Sequence, residues 1–99
     1  MANTLQKAEF RFVIFRDGDK WYGSALEVNI TESGNSPEEV LFLLNEAMTG
    51  YFLTARDIGD ASVLNQTPDP EYEQKWNEGN TVPIPASIFE VGKRNLVAA

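Results

Sequence analysis

The chain has 99 residues, 42% hydrophobic and 23% charged, with 15 acidic residues against 8 basic ones and a net charge of −7. That length supports one domain with one modest core. Cys and His are both absent, which excludes disulfides, thiol nucleophiles, imidazole bases and the common structural zinc sites; the acidic balance argues against unaided nucleic-acid binding, which needs clustered Lys and Arg.

The opening MANTLQKAEF lacks the apolar centre of a signal peptide, and no run approaches the ~18 apolar residues of a membrane span. The simplest expectation is a soluble cytoplasmic protein. A strong negative charge serves solubility, and it equally suits a basic protein partner.

Glu9 to Arg16, EFRFVIFR, is rich in aromatic and β-branched residues and reads as a strand. Alternation places Phe10, Phe12 and Ile14 on one face and Arg11, Val13 and Phe15 on the other. The second face is only half polar, so both sides of this strand are expected to meet other parts of the protein. DGDK at 17–20 reads as a hairpin turn. WYGSALEV, 21–28, returns as a second strand, in which Gly23 marks a bulge or a close backbone approach. NITESG, 29–34, forms a third strand of the meander.

A strong helix start follows in Ser36-Pro37-Glu38-Glu39. Ser36 occupies the N-cap, Pro37 the first helical position, and Glu39 the far corner of a capping box. Glu38 and Glu39 also lie at the positive end of the helix dipole. Val40, Leu44, Ala47, Met48, Tyr51 and Ala55 then form an apolar stripe, widened by Leu41, Leu43 and Phe52. Phe42 and Leu53 fall on the opposite side, with Asn45, Thr49 and Arg56. Either a later segment of the chain covers them, or a second subunit or another protein does. Gly50 inside the helix points to close approach by another backbone.

Ile58 to Pro70 reads as loop. DPEYEQKWNEG, 69–79, has the marks of a short helix capped by Asp69 with Pro70 at its first position. From Asp57 to Glu78 there are six acidic residues against Lys75 alone, the most acidic part of the chain. VPIP, 82–85, is extended and proline-rich, hence at an edge or on the surface. SIFEVG, 87–92, can supply a last strand, leaving Lys93-Arg94 in a solvated tail. The expected fold is thus α+β: an antiparallel sheet of three to four strands with one long helix packed on it, in the order β-β-β-α-β. It forms a single domain over 1–99, with a core at 9–56, an acidic segment at 57–79 and an extended segment at 80–92.

Little here points to catalysis. Asp17/Asp19 sit in a turn and Glu38/Glu39 cap a helix, which is reason enough for both pairs. DGD is only a fragment of a calcium loop, the glycines form no phosphate cradle, and the hydroxyls have no histidine to activate them. A nuclease-like metal centre would have to draw on Glu9, Glu27 and Glu32. No cofactor, metal or catalytic residue is expected.

The combination of F-x-V-I-F, a D-G turn, an aromatic Trp21-Tyr22 opening the next strand, and Glu32-Ser33-Gly34-Asn35-Ser36-Pro37-Glu38-Glu39-Val40 before an apolar helix resembles the HicB-like antitoxin family. The resemblance covers 9–56, about half the chain. Where many members carry a Pro- and Cys-containing stretch, this chain has Leu26-Glu27-Val28-Asn29-Ile30, and the family's DNA-binding tail has no counterpart in KRNLVAA after Gly92. The resemblance implies a partial ribonuclease H-like domain that often oligomerises and neutralises a small basic toxin, an mRNA interferase; the acidic balance, the short tail and the lack of an apolar span add the expectation that this chain itself binds neither nucleic acid nor membrane. The alternative is a self-associating structural or adaptor domain of the same fold with no toxin partner. Partner-binding candidates are Phe42 and Leu53 as apolar contacts, Asp69, Glu71, Glu73 and Glu78 as acidic ones, and Trp76 as an aromatic anchor between them.

Overall fold

A computed structural model describes residues 2–81 and 88–97, and the side chains of residues 2–78. Four strands, β1 (Lys7–Asp17), β2 (Lys20–Ala25), β3 (Ile30–Gly34) and β4 (Ile88–Val97), form one antiparallel sheet in the order β3-β2-β1-β4. Among the described residues, two α-helices, α1 (Pro37–Ile58) and α2 (Pro70–Thr81), accompany the sheet.

The hairpin between β1 and β2 closes on Asp17 opposite Lys20, with Gly18 at φ 68° as the first of two loop residues. Glycine with positive φ at that position is the arrangement of a type II′ turn. The second strand is shorter than the sequence suggests. It stops at Ala25, and Leu26–Val28 turn as a short 3-10 helix ended by Asn29 in the left-handed region, φ 52°. Asn29 then bridges forward: its Nδ2 donates to the Thr67 carbonyl at 3.1 Å, and its Oδ1 accepts from the Asp69 N–H at 3.2 Å.

The helix start works largely as its sequence predicts. The Ser36 hydroxyl accepts from the Glu39 N–H at 3.1 Å. The Glu39 carboxylate reaches one residue further back than a simple capping box and accepts from the Asn35 N–H at 2.7 Å. It lies against Gly34, where a Cβ would collide with it. Ser36→Ala is expected to cost about 1 kcal/mol of stability, measurable by urea denaturation.

Val40, Leu44, Met48, Phe52 and Ala55 are the buried face of α1. They pack on Phe10, Phe12, Ile14 and Ala25 of the sheet and on Leu64. Gly23 faces this layer. A Cβ there would stand 2.6 Å from Val40 Cγ1 and 2.7 Å from Leu44 Cδ1, so the glycine marks the close approach of helix to sheet rather than a bulge. Gly59, at φ 79°, ends the helix and donates its N–H to the Ala55 carbonyl at 2.8 Å.

The other face of β1 is covered too. Val13, Phe15 and Leu26 form a second cluster against Tyr22, Tyr72 and Trp76, so α2 lies on the side of the sheet opposite α1. Phe15 stacks on Tyr22 at 5.9 Å, and Lys75 Nζ stands 4.5 Å above the Phe15 ring.

The loop between the helices is held by specific bonds. Asn3 and Asn65 exchange hydrogen bonds through backbone and side chain, and Asn3 Nδ2 donates to the Leu64 carbonyl at 2.8 Å. Asp60 caps a 3-10 turn at Ala61–Leu64, and the Ser62 hydroxyl and N–H hold its carboxyl below the ordinary Asp value.

Two expectations need correction. Lys93 and Arg94 lie within β4, opposite Arg11 and Phe10, and not in a loose tail. The reason is the length of β1, whose 11 residues offer pairing as far as Lys7 opposite Val97. The helix begun at Pro70 runs to Thr81, into the segment expected to be extended. VPIP, 82–85, lies outside the described residues.

Candidate protein-binding surface

The two sets of sequence-predicted contact residues lie on opposite sides of the sheet, because α1 and α2 cover different faces. They form two surfaces rather than one.

On α2, most of the candidates have duties within the fold. The Asp69 carboxylate accepts from the Glu71 N–H at 2.9 Å and caps the helix. Glu73 Oε1 stands 3.8 Å from Arg11 Nη2. Glu78 Oε1 accepts from Gln74 Nε2 at 3.2 Å. Trp76 is half-buried against the sheet, with the Arg11 guanidinium 5.7 Å from its ring centre. Glu71 is exposed. Acidity on this helix thus partly serves to hold Arg11 and to start the helix.

Arg11 is the organising residue of that side, and its partner carries no local signal in the sequence. Glu27, on the 3-10 turn after β2, accepts from both the Arg11 backbone N–H at 2.7 Å and the Arg11 Nε. Residues sixteen apart give no periodic signal, and by composition the 3-10 turn that aims Glu27 back at β1 reads as strand.

On α1 the picture differs. Phe42 is 61% exposed and Leu53 51% exposed, and no described segment of the chain lies over them. At 100° per residue, their eleven-residue spacing returns them to nearly the same angle, three turns or about 16 Å apart. Glu46 follows Phe42 by one turn and Asp57 follows Leu53 by one turn. Each apolar side chain therefore has a carboxylate beside it on the outer face. Glu38 lies one turn before Phe42, and Arg56 is the single basic residue of the helix. One shallow hollow is lined by Phe42, Asn45, Glu46 and Thr49. A second, at the other end, is lined by Leu5, Gln6, Leu53, Arg56 and Asp57. The repeat of apolar residue and following carboxylate is legible in the sequence.

Among the described residues, no three carboxylates, Glu9, Glu27 and Glu32 included, gather into a group that could hold a metal ion. Among them too, no helix is long and apolar enough to cross a membrane. In comparisons with known protein families, characterised proteins and solved structures, nothing matches this chain.

Proposed function

We propose that this chain is a non-catalytic binding domain that covers a basic protein partner with the outer face of α1. The resemblance of residues 9–56 to HicB-like antitoxins suggests the kind of partner: a small basic mRNA interferase, inhibited by masking. The observation that carries the reading is the exposure of Phe42 and Leu53 on one stripe of α1 with carboxylates beside them. Large apolar side chains of this sort anchor interfaces, and flanking charges steer the encounter. Net charge supports a basic partner over a second copy, since two copies each carry −7.

The test is to purify the chain from its own cells and identify co-eluting proteins by mass spectrometry. The expected result is a small, strongly basic protein at near-equal stoichiometry, which cleaves RNA alone and is silenced by adding the chain back. Phe42→Ser with Leu53→Ser is expected to weaken that complex by roughly 100-fold, two anchors at about 1.4 kcal/mol each. Elution of the chain by itself as a defined oligomer overturns the reading in favour of self-association.

A further inference from the structure

β3 is an edge strand, with β2 on one side of it and no described strand on the other. The two-residue turn makes Asp17 and Lys20 a hydrogen-bonded pair, and alternation makes Phe15–Tyr22 and Val13–Ser24 bonded pairs too. Trp21, Gly23 and Ala25 therefore turn their N–H and C=O groups to β3, where they meet Gly34, Glu32 and Ile30. Thr31 and Ser33 point theirs outward. Both residues are exposed, and nothing in the described chain bonds these four backbone groups. Edges of this kind are commonly blunted by lysine, proline or a bulge. β3, ITESG, has none of them, and its register with β2 runs unbroken. β4, at the far edge, holds Lys93 and Arg94.

Glu32 and one flank of α1 border this edge. Glu32 stands opposite Gly23, where a Cβ would strike Val40 and Leu44, so Glu32 lies on the α1 side of the sheet. It is half-buried, and its carboxylate has no hydrogen bond or ion pair within the described chain. Counted from Val40 at 100° per residue, Leu43, Ala47 and Thr54 lie about 20–60° round α1 on the side of Glu39. Glu39 lies against Gly34, so that side overhangs β3. These three residues carry no charge.

We propose that an extended segment of the partner, bearing Lys or Arg, adds to β3 as a further antiparallel strand. The proposal takes from the function above only the partner's positive charge. Its surface is a different one, because Phe42 and Leu53 stand about 80–140° round α1 from the bordering flank. Outward N–H and C=O groups on alternate residues are matched by another extended backbone, whereas a helix has already bonded its own. A residue set opposite Glu32 falls in a non-hydrogen-bonded pair, where facing side chains are closest. Lys or Arg there gives the Glu32 carboxylate its ion pair. A second copy fits poorly: the register that uses all four outward groups of each β3 sets Glu32 directly against Glu32.

The probe is a short synthetic peptide of alternating valine and threonine in which lysine replaces the central valine. It is titrated into the isotope-labelled full chain and followed by amide chemical shifts and exchange. Shifts are expected to centre on Ile30–Gly34 and on Leu43, Ala47 and Thr54, with slowed exchange at Thr31 and Ser33. Methylating the backbone nitrogens of the two threonines beside the lysine should weaken binding by at least ~10-fold. Methylating the lysine nitrogen, which points away from β3, should not. Thr31→Pro removes an outward N–H at an edge that tolerates proline, and should lower affinity by roughly 10-fold. Glu32→Gln, which breaks no bond within the described chain, should lower it by roughly 5-fold while Tm holds.

Equal binding of the two methylated peptides overturns the proposal. So does a parent peptide that leaves β3 unshifted, or slow exchange of the Thr31 and Ser33 amides in the chain alone, which shows the edge already covered. If Phe42→Ser with Leu53→Ser abolishes peptide binding and neither Thr31→Pro nor Glu32→Gln does, the peptide sits on the outer face of α1: the proposed function stands and this inference falls. If the peptide binds β3 as expected and the double serine variant still captures its basic partner undiminished, the edge is upheld and the outer face loses its role. A concentration-dependent dimer in sedimentation that Thr31→Pro dissociates gives the edge to a second copy and overturns the inference.

Discussion

Gly23→Ala is expected to destabilise the chain by about 1–3 kcal/mol, the usual cost of forcing extra atoms into a packed core. Only one methyl group is added, but it would stand 2.6 Å from Val40 Cγ1 and 2.7 Å from Leu44 Cδ1. Both side chains are fully buried, so any turn that clears the new Cβ is made against packed neighbours. For a domain of this size the loss corresponds to a fall in Tm of roughly 10 °C, readable by thermal denaturation. Val40→Ala introduced with it should cost less than the sum of the two single changes, because it removes the methyl that the new Cβ strikes. A change within about 0.5 kcal/mol would show that α1 does not sit this close to β2. The contact also bears on the binding surface, since the seating of Val40 and Leu44 on the sheet determines which way Phe42 and Leu53 point.

The second large effect is expected at Glu27. Phe12 opposite Ala25 is the last pair between β1 and β2. One residue further along, the Arg11 N–H is taken up by the Glu27 carboxylate instead of by a strand. The same carboxylate holds the guanidinium, which lies over Trp76 and close to Glu73. The Arg11 and Glu27 side chains are 26% and 17% exposed, so water compensates only in part for losing either. Glu27→Ala removes both acceptors together and is expected to cost about 2–3 kcal/mol in urea denaturation. Glu27→Gln keeps an acceptor for the N–H and gives up the charge, so its loss should be about half as large. If the two variants lose equally, the charge of Glu27 adds nothing; if neither loses anything, the arrangement does not contribute to stability.

These two sites divide what local reading reaches from what it does not. The capped start at Ser36-Pro37, the apolar stripe from Val40 to Ala55 and the short helix begun at Asp69-Pro70 were all legible, because each is written within four residues or within one helical period. The half-apolar second face of β1 announced that something covers it. That the cover is α2 was not legible, since Phe15 meets Tyr72, far along the chain, and no periodicity connects them. Much the same holds for Trp76, equally able by composition to face a partner or the sheet.

For the candidate surface, the sequence alone determined that Phe42 and Leu53 stand opposite the core stripe, because angle around a helix follows from residue number. It also determined an acidic chain with no thiol or imidazole to do chemistry. Only the tertiary structure decided that no described segment folds back over those side chains, and that a Cβ at Gly50 would meet none of the other described segments within 4 Å. It decided as well that Glu73 and Asp69 work inside the fold while Glu46 and Asp57 face outward. The physical reason is range. Propensity, capping and periodicity act over a few residues, whereas exposure is a property of every segment that could have packed there, and burial of apolar surface is settled only when the whole chain has found its layers.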